Sequence, residues 1–217
     1  MTIEELKKIE KEGNEVFVGN NYCSLFSLVG SILVLYPNKN PEEVLETIKT
    51  ITQVPLSDTP LYDIALKNNL PPPILVTKTD TYVTTRDWLL KGQGEALIQY
   101  LNSKLSNTDF PIEISYIKRD KNTKTSLADK CMNGSVAMLP CTISDTEGSF
   151  LDNHHIALAY SQNNWNIIDV NSSVCTIEEE LLFEMIASES IGIHYVSEDE
   201  IISIIETDPI IFIDSIK

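Results

Sequence analysis

One stretch constrains this chain more than any other: Gly19-Asn20-Asn21-Tyr22-Cys23-Ser24-Leu25-Phe26-Ser27-Leu28-Val29. It predicts an apolar helix running to about Tyr36, stopped by Pro37, which cannot continue a helix. Leu25, Phe26, Leu28, Val29, Ile32, Leu33, Leu35 and Tyr36 cover nearly every face of it. A helix apolar all round belongs inside a domain. Asn20 or Asn21 can cap it, because a short side-chain oxygen accepts from the orphan backbone N–H groups of a first turn. Cys23 stands in that turn, where the positive end of the helix dipole favours thiolate over thiol. An arbitrary buried cysteine is more often structural than reactive. Cys23 therefore becomes a candidate nucleophile only if the rest of the chain supplies a base.

Composition limits the alternatives. The chain has 217 residues, of which 42% are hydrophobic, enough for a packed core, and is most simply a single domain. Its helical part spans about residues 1–108 and its sheet part about 109–217. With 32 acidic against 16 basic residues, the formal net charge is -16. No Lys/Arg run offers a phosphate backbone a basic face, so nucleic acid is disfavoured as a partner. The sign suits a solvated acidic surface or a basic protein partner. The cysteines at 23, 131, 141 and 175 form no CxxC pair, which argues against a zinc site and against a disulfide framework. No stretch approaches the ~18–20 apolar residues of a membrane span. The N-terminal segment lacks the apolar core of a signal peptide, so the expectation is a soluble protein made in a reducing cytosol.

Along the chain, the first half predicts helices. Polar residues 3–12 form a short one ending at Gly13. Asn40-Pro41-Glu42-Glu43 opens another, with a cap, a proline in the first turn and early acids. Residues 58–66 repeat that grammar, residues 74–76 suit a short strand, and Asp87 can cap residues 88–90. Helical spacing resumes over 95–105, with a break at Gly92 and Gly94.

The texture then changes. Ile112-Glu113-Ile114-Ser115-Tyr116-Ile117 alternates as a half-buried strand does, and residues 136–139 suit a buried one. Residues 155–160, the polar turn Ser161-Gln162-Asn163-Asn164, and residues 165–169 predict a hairpin. Thr176 with Glu179 has the pattern of a capping box and predicts a helix there. The end is predicted as strand (191–196), helix (197–205) and strand (209–216). Helices first and mostly antiparallel sheet second make an α+β arrangement.

The hairpin brings a base. His154 and His155 open its first strand, and Asp169 ends the second. The outer ends of an antiparallel pair lie side by side. A carboxylate there can accept from an imidazole N–H and stabilise the imidazolium, leaving the other ring nitrogen for a thiol. Adjacent strand residues face opposite sides, so only one of the two histidines can meet Cys23. Ala157 and Ala159 share the face of His155; Ile156, Leu158 and Tyr160 share that of His154. Parity alone does not choose between them.

The run His154-His155-Ile156-Ala157-Leu158, followed by Trp165-Asn166-Ile167-Ile168-Asp169-Val170-Asn171, resembles a His-x-hydrophobic-Ala-Leu … Asp-Pro-Asn signature. That signature belongs to bacterial effector cysteine proteases and deamidases of the papain-like superfamily. Among these are the avirulence-protein and Yersinia outer-protein proteases and the related Shigella glutamine deamidase. The resemblance covers the Cys23 helix and roughly residues 150–187. It implies a papain-like α+β fold with a buried, Cys-bearing helix packed on a mostly antiparallel sheet. It also implies a Cys23-His154-Asp169 triad, with His155 as the alternative base.

Such an enzyme hydrolyses a peptide, isopeptide or Gln side-chain amide of a protein, here by implication a host protein. It would reach that host by a route independent of a signal peptide. It requires neither cofactor nor metal. Two positions depart from the family pattern. Phe17 stands where these enzymes usually carry an oxyanion-donating Gln, which would leave that task to Asn20, Asn21 or the Cys23 backbone N–H. Asn20 occupies the place of an Asp in the OTU deubiquitinases. Val170 replaces the signature's Pro. The alternative is a catalytically inactive papain-like fold that serves as a protein-interaction module.

Overall fold

In the computed structural model, the described residues are 23–52, 94–118, 120, 122–145, 147, 149–168, 174–180, 182–183, 193–194, 200–204 and 209–216. They form four helices, α1 (Cys23–Leu35), α2 (Pro41–Thr52), α3 (Gly94–Leu105) and α4 (Thr123–Met132). Eight strands accompany them: β1 (Ile112–Ile117), β2 (Val136–Asp145), β3 (Phe150–Ser161), β4 (Asn164–Ile168), β5 (Val174–Ile177), β6 (Ile193–His194), β7 (Glu200–Ile204) and β8 (Ile210–Ser215). All join one sheet, ordered β1-β8-β2-β3-β4-β5, with β7 also on β2 and β6 on β7. Every described pairing is antiparallel. The α+β expectation holds at this level.

The sheet is covered on both faces. On one, Val136, Met138, Ala157, Ala159, Ile168, Ile211 and Ile213 share a core with α1, α2 and α3. On the other, Ala137, Leu139, Cys141, Ile156, Leu158, Trp165, Ile167 and Phe212 pack against Leu127 and Cys131 of α4 and against Leu182. A strand buried on both sides needs apolar residues at successive positions rather than alternate ones. That is why Val136-Ala137-Met138-Leu139 and Ile210-Ile211-Phe212-Ile213 are unbroken apolar runs.

Local sequence explains most of the helix and turn positions. α1 stops one residue before Tyr36, whose hydroxyl donates to the Pro111 carbonyl (2.6 Å). α2 starts where its grammar predicts: the Asn40 Oδ1 accepts from the N–H groups of Glu42 (2.9 Å) and Glu43 (3.2 Å). The β3–β4 hairpin turns on Gln162 and Asn163, with φ of 52° and 61°. Positive φ at both central residues makes this the two-residue turn whose twist matches its strands. A turn of that kind makes Ser161 and Asn164 a hydrogen-bonded pair. The odd-numbered residues of β3 therefore direct their backbone groups toward β4, and the even-numbered ones toward β2.

The same alternation accounts for Pro140 in the middle of a long strand. Its missing N–H faces away from β3, toward the edge that β8 and β7 share. β7 ends with Ile204 opposite Cys141 and β8 starts its pairing with Ile211 opposite Met138, so the proline sits in the seam between them. No ladder hydrogen bond is lost there.

Two expectations are corrected. Residues 200–204 are strand β7, not part of a helix over 197–205, because Ile202 pairs with Ile143 and the segment completes the edge of β2. Thr176 lies inside β5 rather than capping a helix: it pairs with Asn166, and its hydroxyl donates to Asn166 Oδ1 (3.3 Å). Helical backbone begins at Glu179 instead. Helix α4 is absent from the sequence-based expectation. The readings at 3–12, 58–66, 74–76 and 88–90 lie outside the described residues.

At the far edge, β1 is closed by a side chain. The even-numbered residues of β1 point their backbone groups away from β8. There the Asn102 amide of α3 donates to the Ile114 carbonyl (2.9 Å) and accepts from the Ile114 N–H (2.7 Å). Asn102 thus occupies the place of a neighbouring strand at an edge that would otherwise offer itself for pairing. Replacing Asn102 with Leu strands both backbone groups, at a cost of about 1–3 kcal/mol. The urea midpoint is expected to fall with an unchanged m-value; an unchanged midpoint would show that the amide contributes nothing.

Candidate functional site

Cys23 and the histidine pair lie on two elements that pack together, α1 and β3. Cys23 is the first residue of α1, and the helix is buried from Ser27 to Val34 against the face that carries Ala157 and Ala159. Alanines at both positions leave the helix room to approach the strand closely. One turn after Cys23, the Ser27 hydroxyl donates to the His155 carbonyl at 2.6 Å. The next turn continues the column, with the Ser31 hydroxyl donating to the Ser27 carbonyl at 2.7 Å. Both serines are buried. Each hydroxyl has its partner, as a buried donor requires.

β3 is regular through the histidines, with Cys141 opposite His154 and Pro140 opposite His155. Its one register shift lies farther along, between Ile143 and Ser144 of β2. Regular alternation sets His155 on the α1 face with Ala157 and Ala159, and His154 on the α4 face with Ile156 and Leu158. Both are partly exposed. The β3–β4 pairing reaches Ala157 opposite Ile168, and the two histidines follow beyond that last described pair. Asn20, Asn21 and Asp169 lie outside the described residues.

Trp165 anchors the second strand of the hairpin. It is only 2% exposed, and its ring meets Tyr160 and Phe183 edge-on, with centroids 5.1 Å and 6.0 Å away. Its indole N–H donates to Glu179 Oε2 (2.9 Å), so the glutamate of the supposed capping box holds a ring instead of a helix terminus. This fixes β4, whose last residue, Ile168, directly precedes Asp169 in sequence.

Cys131 and Cys141 are buried and form no disulfide. Burial pushes the Cys131 thiol up to about 12, with a smaller push from Asp214, against the Ala137 backbone and Lys130, which lower it. Lys130 also lies over the Phe212 ring (4.9 Å) and beside Asp214 (4.0 Å), to which the Ser135 hydroxyl donates. Cys175 pairs with Ile167 in the β4–β5 ladder. Among the described residues there is no cluster of His, Cys, Asp and Glu that could hold a metal ion. None of their helices is long and apolar enough to cross a membrane.

Sequence reasoning singled out Cys23 and the histidine pair but not Ser27, whose place four residues after Cys23 was the available signal.

No known family profile matches the chain, and no curated protein sequence does. Among solved structures, the crystal structure of Pseudomonas avirulence protein AvrPphB aligns with 89% of this chain and 93% of its own, at 12% identity and a TM-score of 0.33.

The raised Cys131 thiol carries a pH dependence of known sign. An unfolded chain releases that proton near the ordinary value of 9.0, whereas the folded protein holds it to about 12. Stability present below pH 9 is therefore lost as pH rises through that window, by at most about 1.4 kcal/mol per pH unit. Urea titrations from pH 8 to 10.5 are expected to show a shallower decline for Cys131→Val than for the unaltered protein. Parallel declines would place the titration elsewhere.

Proposed function

We propose that the protein is a thiol amide hydrolase of papain-like type that acts on a protein substrate. The observation that carries this reading is the seating of α1, the helix opened by Cys23, on β3, the strand that bears His154 and His155. Cys23 is the nucleophile, with its thiolate favoured by the helix dipole. A histidine of the pair takes the thiol proton and returns one to the leaving amine, and Asp169 orients that imidazole. Water then releases the thioester. The oxyanion is stabilised by the Cys23 backbone N–H together with the amide of Asn20 or Asn21.

Which histidine acts rests on two different supports. The signature spacing, with Ala157 and Asp169 three and fifteen residues on, favours His154. The face of β3 on which α1 packs favours His155. Peptide cleavage, isopeptide cleavage and Gln deamidation share every one of these steps and differ in what the cleft admits. The resemblance favours a bacterial effector working on a host protein, and the acidic charge favours a basic one.

The test is pH-resolved alkylation with each cysteine followed by mass spectrometry. Cys23 is expected to label well below the free-thiol pKa of about 8.5. Alanine at the acting histidine should bring it back toward that value, while alanine at the other leaves the profile unchanged. If Cys23 in the folded protein labels like an ordinary thiol, it is not a nucleophile. Host lysate treated with wild type and with Cys23→Ala then distinguishes the outcomes. New peptide termini mark a protease, and a gain of about one dalton at Gln, from replacement of NH2 by OH, marks a deamidase. An ordinary thiol with no change in lysate would leave the inactive interaction module as the reading.

A further inference from the structure

We infer that Ser27 is a positioning residue, whose hydroxyl fastens the Cys23 turn of α1 to the histidine-bearing step of β3. The inference rests on the thiol-hydrolase reading and adds a component that the Cys-His-Asp pattern does not contain. The His155 carbonyl of β3 accepts from Ser27, a residue 3% exposed and drawn from a different layer of the fold.

The bond crosses from helix to sheet at the point where a small slip matters most. Apolar contacts on Ala157 and Ala159 hold α1 down on the strand but resist sliding along it poorly, because they have no direction. A short hydrogen bond does have direction. One turn, about 5.4 Å, separates Ser27 from the level of Cys23. A helix pinned at Ser27 therefore delivers Cys23 at a fixed height relative to His154 and His155. A thiol and an imidazole must meet at hydrogen-bond distance before either is activated, so loss of the pin is felt as a loss of thiolate.

Ser31 provides the control. It is buried in the same helix, but its hydroxyl bonds within α1, to the Ser27 carbonyl, and not to the sheet. Removing it perturbs the packing without releasing the helix from β3.

The experiment compares the pH profile of Cys23 alkylation by iodoacetamide in wild type, Ser27→Ala, Ser27→Thr and Ser31→Ala, with circular dichroism and melting of each protein. Ser27→Ala is expected to move the midpoint upward by about one pH unit, which is about tenfold less labelling on the acid side. Ser27→Thr keeps the donor and should restore most of that loss, and Ser31→Ala should stay within about twofold of wild type. These expectations follow from thiolate fraction alone. A folded Ser27→Ala whose profile overlays wild type overturns the inference and leaves the thiol-hydrolase reading standing. Equal shifts in Ser27→Ala and Ser31→Ala also overturn it, since both would then report packing. Should Ser27→Ala fail to fold, Ser27→Thr decides: a wild-type profile supports the hydroxyl pin, and an ordinary-thiol profile in a folded protein opposes it. An ordinary thiol in the wild type itself removes the reading and the inference together.

Discussion

The fold depends on the β2–β3 ladder. These long strands pair along most of their length and are covered on both faces, so all other layers are built on them. β2 also holds β8 and β7 end to end along its other edge, with Pro140 at the seam. A strand that must satisfy neighbours on both edges and pack helices on both faces has almost no free position. Slipping the register by one residue would exchange Val136 and Met138 for Ala137 and Leu139 on every contact. The neighbouring strands would move with it.

The ladder also positions α1 and the histidine pair. Its interior is apolar, and His154 and His155 lie mid-strand in β3, opposite Cys141 and Pro140 of β2. α1 lies over Ala157 and Ala159 of that strand, and the Ser27 hydroxyl bonds to the His155 carbonyl. His155 shares the α1 face of the sheet, and His154 lies on the α4 face. At the far edge of the sheet, the Asn102 amide satisfies β1.

Much of this was legible in the residues themselves. Pro37 ends α1, Asn40 and Pro41 begin α2, and Gln162-Asn163 turns the hairpin, each through a covalent or short-range preference that acts within a few residues. The misread segments lack that locality. Ser197-Glu198-Asp199-Glu200 looks like the acidic start of a helix, yet Ile201, Ile202 and Ile204 are β-branched and pair with β2. Thr176 and Glu179 have capping-box spacing, but Asn166 takes the threonine and Trp165 takes the glutamate. α4 buries little more than Thr123, Leu127 and Cys131, too narrow a stripe to stand out from its polar neighbours. Its ends are set by the Asp120–Thr123 hydrogen bonds and by Gly134, at φ 101°.

The sequence by itself determined the types of most elements, the α+β class and the identity of the candidate nucleophile and bases. Those follow from periodicity, caps and residue chemistry, all of which are properties of the chain before it folds. Only the tertiary structure decided which face of β3 receives α1. Strand alternation places His154 and His155 on opposite faces but cannot say which face a distant helix will cover. That was decided by Ala157 and Ala159 against Ile156 and Leu158, and by a serine 128 residues from the carbonyl it holds. Contacts across such a separation have no local signature, because the energy that selects them exists only after both layers have formed.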